Sequence, residues 1–354
     1  MQLKPEPCLF SRYMFVICGS SRKWLYFPLL FLIIFLMIYN RGFASKQFTS
    51  IRYGSSEVRN QRCIPKRSYF TDEISTNTSV PISVYPKDGV GTCVDISKYF
   101  DFSLFNSFCD RNSDLNAIIP VYSSADNFRR RWAVRNTVGK NCVNFKCAVF
   151  FIVGVSKNES VNTGVRAEYK LEKDMLMISK MDTYRDLNNK AIAMLDWLVQ
   201  FCPQPKYVIH IIDDTYPNIR YFLDHMNSIK ETKYLLGVKA FRAPVMRGAS
   251  NKWYTSTAEY PGKTYPTYAI GTAYAFLNNR SQLLRDTAYE AGYLWIEDVW
   301  LTGFVRTKAG FDIVPVKKRM IEVQSTKDRK LWDKHSCVHK VSVDGFYDIY
   351  NATL

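Results

Sequence analysis

"KYVIHIIDDTYPN", Lys206 to Asn218, is apolar from Val208 to Ile212 except for His210, and then stops on two adjacent carboxylates, Asp213 and Asp214. A short continuous apolar run reads as a strand buried on both faces, as in a mostly parallel sheet. Comparable runs stand at Asn116 to Tyr122, Cys147 to Gly154, Asp174 to Ser179 and Lys233 to Lys239. Between them lie helical patterns. "NFRRRWAVRNTVG" has Asp126 before it as the expected N-cap, and "RDLNNKAIAMLDWLVQF" repeats Leu187, Ala191, Leu195 and Leu198 at helical spacing. Alternating strands and helices predict an α/β domain. In open sheets of this class ligands bind beyond the carboxyl ends of the strands, which is where Asp213 and Asp214 fall.

Composition sets the outer bounds. The chain has 354 residues, 47% hydrophobic and 15% aromatic, which is a globular composition and excludes disorder throughout. A net charge of +16 leaves nucleic acid, anionic lipid or a phosphate-bearing ligand as candidate partners. No zinc-finger spacing, RNP-like motif or phosphate loop accompanies that charge, so nucleic acid is set aside.

The N-terminus bears on the compartment. "SSRKWLYFPLLFLIIFLMIYNRG" is free of charge from Trp24 to Tyr39, between Arg22 and Lys23 before it and Arg41 after it. At about 1.5 Å per residue this run spans roughly 24 Å, short for a ~30 Å hydrocarbon core and suited to the thinner membranes of the early secretory pathway. It reads as a signal-anchor helix rather than a cleaved signal peptide, because the apolar run ends well before the small residues at Gly42 to Ala44. The expected order is a cytosolic tail (1–23), a transmembrane helix (24–39), a lumenal stem (40–111) and a catalytic domain (112–354). Seven of the nine cysteines (Cys63, Cys93, Cys109, Cys142, Cys147, Cys202 and Cys337) would then face an oxidising lumen, and their odd number leaves at least one unpaired or intermolecular. Sequons at Asn77, Asn158, Asn279 and Asn351 permit glycosylation there.

Two carboxylates at a strand tip either cap a turn or hold a hard cation beside a substrate diphosphate. A second acidic pair, Glu297 and Asp298, stands among apolar residues in "YLWIEDVWLTGF", where desolvation perturbs a carboxyl pKa. A metal-held diphosphate and a separate carboxylate base are what sugar transfer from a nucleotide donor requires.

Order and spacing of several motifs resemble the β1,3-galactosyltransferase group, glycosyltransferase family 31. Its R-x-A-I-R-x-T-W-G is met by "RWAVRNTVG" (Arg131 to Gly139), and its strand ending F-L-x-G by "FFIVG" to Gly154. Its E-x5-D-I-L and D-x-Y-x-N-L-T-x-K are met by Glu168, Asp174, Leu176, Asp182, Tyr184, Leu187 and Lys190. Trp197 and Cys202 follow, then "YPTYAIGTAY" for Y-P-x-Y-x-x-G-x-G-Y and "EDVWLTG" for E-D-V-x-x-G. The resemblance implies a GT-A fold, a UDP-sugar donor (UDP-galactose or UDP-N-acetylglucosamine), a manganese-type cation and single-pass type II anchoring in the Golgi membrane. It also implies a glycan acceptor on glycoprotein or glycolipid.

By position the resemblance puts the metal ligand of K-x-D-D-D on Asp214, with Asp213 facing the nucleotide, and the catalytic base on Asp298 beside Glu297. Arg131 and Arg135, on one helical face, are assigned to the donor diphosphate against the plainer reading of a solvated basic face. His335 in "WDKHSCVHK" is the candidate second metal ligand, against an ordinary exposed histidine. Trp253, Tyr265 and Tyr268 stand as candidates for stacking on uracil or sugar rings, or for packing. The chain departs from the pattern at Ile212 for the first acid, His210 for the lysine and Val138 for the tryptophan. Two functions follow as expectations: an inverting hexosyltransferase, or a catalytically silent relative that binds glycans or acts as a chaperone in the lumen.

Overall fold

The computed structural model describes residues 108–354, so the expected tail, membrane helix, most of the stem and the Asn77 sequon lie outside the described residues. Among the described residues no helix is long and apolar enough to cross a membrane. The five strands expected from apolar runs all form: β1 (Ala117–Tyr122), β2 (Cys147–Val155), β3 (Met175–Met181), β4 (Tyr207–Ile212) and β6 (Tyr234–Ala240). The short β5 (Thr215–Pro217) follows β4 directly. With β7 (Tyr268–Leu277) and β8 (Asp312–Pro315) the long strands make one seven-stranded sheet in the order β3-β2-β1-β4-β7-β6-β8. Only β7 runs against its neighbours. A second sheet, β5-β10-β9, adds β9 (Ile321–Glu322) and β10 (Cys337–His339).

Helices cover the sheet. α1 (Phe108–Arg111) belongs to this body although the stem was expected to reach Arg111: Phe108 packs 5.0 Å from the Phe150 ring, and Cys109 is disulfide-bonded to Cys202. α2 (Phe128–Val134) passes through a π-helical turn, Arg135–Gly139. Its N-cap is Asn127 rather than Asp126, whose backbone carbonyl accepts from Phe128 instead. α3 (Glu159–Glu172) and α4 (Leu187–Phe201) follow, and α4 buries Ala191, Leu195 and Leu198 as its periodicity predicts. Trp197 of α4 stacks on Phe150 at 3.8 Å, fixing the helix to β2. A second disulfide joins Cys142 to Cys147, and Cys337 is the free thiol among the described cysteines. The Asn158, Asn279 and Asn351 side chains are exposed.

A buried ion pair, Asp182 with Lys190, braces the strand tips. Gly154 lies so close to Asp182 that a Cβ there would come within 2.9 Å of the aspartate's own Cβ, so the backbones of β2 and the segment after β3 need glycine at this point. Asp182 accepts from the Ala125 and Gly154 N–H groups and pairs with Lys190 at 2.7 Å. Lys190 also donates to the Ser123 carbonyl at the end of β1.

Arg131 and Arg135 correct the expectation from sequence. Arg131 is fully buried and spends its donors on Glu168, the Ser123 hydroxyl and the Ser124 and Ala125 carbonyls. Arg135 binds Asp174 through two donors, at 2.7 and 2.8 Å, and Glu168 through a third at 2.6 Å. Neither guanidinium is left for a diphosphate; Arg131 clamps α2 to α3 and to the segment after β1, and Arg135 clamps the following turn to α3 and to the start of β3. Burial alone would raise the Glu168 carboxyl, but the two arginines outweigh it and hold it below the ordinary range.

Glu297 is likewise an interior group. It is buried and accepts a hydrogen bond from the Tyr274 hydroxyl at 3.1 Å. Tyr274 and Tyr122 flank His210, with ring centroids 4.5 and 4.1 Å away. Burial lowers His210 to about 3, so it stays neutral, and burial followed by the Asp298 charge raises Glu297 to about 8. Where the resembled pattern has a lysine, this chain therefore sets a neutral imidazole among the aromatics, near a carboxyl that keeps its proton.

Two outcomes are expected. Glu168→Ala strands a buried guanidinium and should lower stability by about 3–5 kcal/mol in urea unfolding; a loss within about 0.5 kcal/mol would show that the pair is not structural. Because Glu297 keeps its proton in the folded state up to about 8 and loses it near 4.5 when unfolded, it erodes stability as pH rises through that window. The slope is at most about 1.4 kcal/mol per pH unit. Glu297→Gln should flatten the decline between those pH values; parallel curves would contradict the assignment.

Candidate functional site

The site is built at the carboxyl edge of β4. Asp213 is buried, and its Oδ2 accepts from the Ser123 hydroxyl at 2.7 Å and from the Asn127 side chain at 2.9 Å. Its backbone N–H bonds to the Tyr122 carbonyl. These contacts pin the tip of β4 to the end of β1 and to the N-cap of α2. Burial raises the Asp213 carboxyl, offset in part by its hydrogen bonds and by the nearby charge of Arg130. Arg130, whose Nη1 donates to the Val341 carbonyl at 2.9 Å, is thus an arginine of this helix whose charge reaches Asp213.

Asp214 differs from its neighbour. Its Oδ1 is a buried oxygen without a hydrogen-bond partner, and it lies 3.5 Å from Nε2 of His339. Strand register explains the meeting: β10 pairs antiparallel with β5, Cys337 opposite Pro217 and His339 opposite Thr215. The Val341 N–H then bonds to the Asp214 carbonyl. His335, expected as the second metal ligand, sits at the other end of this ladder, where its carbonyl accepts from the Asn218 side chain. The histidine that faces Asp214 is therefore His339, four residues further along the same stretch. Sequence reasoning weighed only the first histidine of "HSCVH"; the alternation of side chains along a strand paired to Thr215 was the missing information.

Asp298 stands on the opposite side of β4. Its Oδ2 accepts from the Gly271 N–H at 2.9 Å and its Oδ1 from the Val299 N–H at 2.8 Å. β7 pairs antiparallel with β4, Ala273 opposite Ile211. Two residues earlier on β7, Gly271 stands level with Asp213, so the Asp298 carboxylate is attached at the same edge as the acid pair. A Cβ on Gly271 would come within 3.0 Å of Asp298, so glycine is needed for this approach. A π-helical turn, Val299–Val305, begins right after Asp298, and Thr302 on it ties back to Ala269 of β7. Burial raises the Asp298 carboxyl, while the two N–H bonds work against that shift and fix its orientation. Tyr184 and Tyr268 lie close enough for the Asp298 charge to raise both hydroxyls, though burial is the larger cause. Trp253 is half exposed and donates to the Tyr184 hydroxyl at 3.0 Å, while Tyr265 is buried and bonds to Thr255.

Whether the residues fit a divalent cation can be asked of the donors themselves. Among the described residues no cluster of three or more His, Cys, Asp or Glu side chains could hold a metal alone. Asp214 Oδ1 and His339 Nε2 are two donors, one of them orphaned. Their separation is a little wider than the roughly 3 Å between adjacent ligands of a small divalent ion. A cation held by one or two side chains and completed by substrate phosphates needs no more from the protein. The fit is met.

The chain is 25% identical over 187 residues to beta-1,3-galactosyltransferase 5 of Homo sapiens, a match covering 52% of this chain and 60% of that one. It is 27% identical over 198 residues to beta-1,3-galactosyltransferase 1 of Mus musculus, covering 54% and 60%. The match thus spans about three-fifths of the length of these curated relatives. Among solved structures it is similar to a glycosyltransferase involved in the glycosylation of the major capsid of PBCV-1, with a TM-score of 0.37 and 9% identity over 67% of this chain and 99% of that one. It is also similar to the galactosyltransferase LgtC in complex with donor and acceptor sugar analogs, with a TM-score of 0.34 and 10% identity over 67% and 95%. The family model described as galactosyltransferase matches residues 125–317, which include β4, Asp213, Asp214, β7 and Asp298, and with more than half its length so matched the chain belongs to the galactosyltransferase family.

Proposed function

We propose that this protein is an inverting hexosyltransferase with a GT-A catalytic domain. It moves galactose or N-acetylglucosamine from a UDP-sugar to a hydroxyl of a glycan on glycoprotein or glycolipid, in β1,3 linkage. The observation that carries this reading is the orphaned Asp214 Oδ1 facing His339, at the same sheet edge as an Asp298 carboxylate oriented by two backbone N–H groups. Anchoring by the 24–39 helix in the Golgi membrane, with the catalytic domain lumenal, is the setting proposed with it.

Each residue has a task that its surroundings allow. Asp298 accepts the proton of the attacking hydroxyl: its N–H partners leave lone pairs on both oxygens, and burial strengthens it as a base. One direct displacement inverts the anomeric centre and needs no nucleophile from the protein. Asp214 and His339 would hold manganese or another divalent cation, which when bound offsets the charge gathering on the departing diphosphate. Asp213 has its Oδ2 held by Ser123 and Asn127, leaving Oδ1 for the nucleotide. Arg130 supplies a positive charge on the same side. Glu297 is buried and taken up by the Tyr274 hydroxyl, and is an interior group rather than one that touches substrate.

A silent, glycan-binding relative remains the second reading, favoured by Ile212 in place of an acid and by the neutral His210. One assay separates the two. UDP release from UDP-galactose and UDP-N-acetylglucosamine should depend on manganese, fall by about 10²–10⁴-fold in Asp298→Asn and lose its metal dependence in Asp214→Ala. Manganese with UDP at a hundred times its Kd should also stabilise the wild type by about 2.7 kcal/mol in thermal unfolding. No release from any UDP-sugar, together with measurable glycan binding, would favour the silent protein.

A further inference from the structure

We propose that Glu322 is a positioning residue that sets the tautomer of His339 and so prepares its Nε2 for a divalent cation; this rests on the cation reading of Asp214 and His339. β9 pairs parallel with β10, and the register puts Glu322 directly beside His339. The Glu322 Oε1 lies 3.2 Å from His339 Nδ1, and its Oε2 is held by Lys340 Nζ at 2.5 Å. A carboxylate only accepts hydrogen bonds, so the Nδ1 in contact with it carries the imidazole proton. In the neutral ring proposed for His339, the Nε2 lone pair is then on the side of Asp214 Oδ1, which lies 3.5 Å away and has no hydrogen-bond partner. With Nε2 unprotonated, two acceptor atoms face each other in a partly closed site, and a cation between them relieves their repulsion. A carboxylate, an imidazole and a cation in line is the arrangement that fixes the ring and raises the basicity of the ligating nitrogen.

The three side chains come from three separate segments of chain, joined only by the second sheet. β5 follows Asp214, β10 ends on His339, and β9 ends on Glu322. Lys340 adopts a left-handed backbone, φ 63°, immediately after His339, and its side chain reaches the same carboxylate. Glu322 is therefore held from both sides. It cannot itself share the cation with Asp214, because it touches the opposite nitrogen of the ring.

The test uses the full chain and manganese with UDP. Manganese affinity is read by electron paramagnetic resonance of the free ion, and the His339 tautomer by ¹⁵N chemical shifts of the imidazole. Glu322→Ala should weaken manganese binding by about 10–100-fold and shift the ring toward the Nε2–H form, while UDP affinity without metal and thermal stability stay unchanged. Glu322→Gln, whose amide oxygen still accepts the Nδ1 proton, should recover part of the affinity. His339→Ala should lose more than either. Wild-type manganese affinity in Glu322→Ala beside a loss in His339→Ala would overturn the role of Glu322 alone. An imidazole carrying protons on both nitrogens at neutral pH would overturn it too. No manganese binding by the wild type, or none lost in His339→Ala, would bring down the cation reading and this inference with it.

Discussion

β7 runs antiparallel beside β4, and that single reversal sets where the chemistry can be. In an all-parallel sheet the neighbour of β4 would carry its carboxyl end alongside Asp213. Here the amino-terminal part of β7 arrives there instead, bringing Gly271 level with the acid pair and with it the N–H that holds Asp298. The second constraint is the small sheet. Its antiparallel β5–β10 pairing folds the C-terminal region back onto the residues just after Asp214 and delivers His339 to the orphaned oxygen. Neither contact is local in sequence: Asp298 is 27 residues from Gly271, and His339 lies beyond the end of the matched family domain at 317.

Around these two pairings, ion pairs brace the strand ends. Arg131, Arg135, Glu168 and Asp174 lock α2 to α3 and β3, and Asp182 with Lys190 braces the ends of β1, β2 and β3. Such buried pairs contribute little net stability over apolar packing, but breaking one leaves an uncompensated charge. Their effect is to hold the strand ends in one arrangement, so that Asp213 and Asp214 project from a rigid edge. Rigid support of this kind matters where a carboxylate must meet a proton or a cation within tenths of an ångström.

Much of this was legible in the sequence, and the exceptions have physical causes. Apolar runs located five strands to within a residue or two, because burial on both faces leaves an unbroken signature. β7 was read as a motif and not as a strand, since Gly271, Thr272 and several tyrosines break the apolar run that marked the others. Helical spacing put Arg131 and Arg135 on one face correctly, but could not reveal that Glu168 and Asp174 wait on that face. The motif letters held those acids in plain view, and only tertiary packing pairs them. The same limit separates His335 from His339: sequence locates a histidine-bearing stretch, whereas register decides which ring points at Asp214. Asp213, Asp214 and Asp298 stood out because acids next to long apolar runs are costly unless paired or used.

Anomalous diffraction from crystals grown with manganese and UDP tests the central claim most directly. The expected result is a manganese peak bounded by Asp214 Oδ1 and His339 Nε2, with the diphosphate completing its coordination and Asp298 across the sugar-binding space. UDP bound with manganese elsewhere, or with Asp214 Oδ1 and His339 left facing each other, would contradict it.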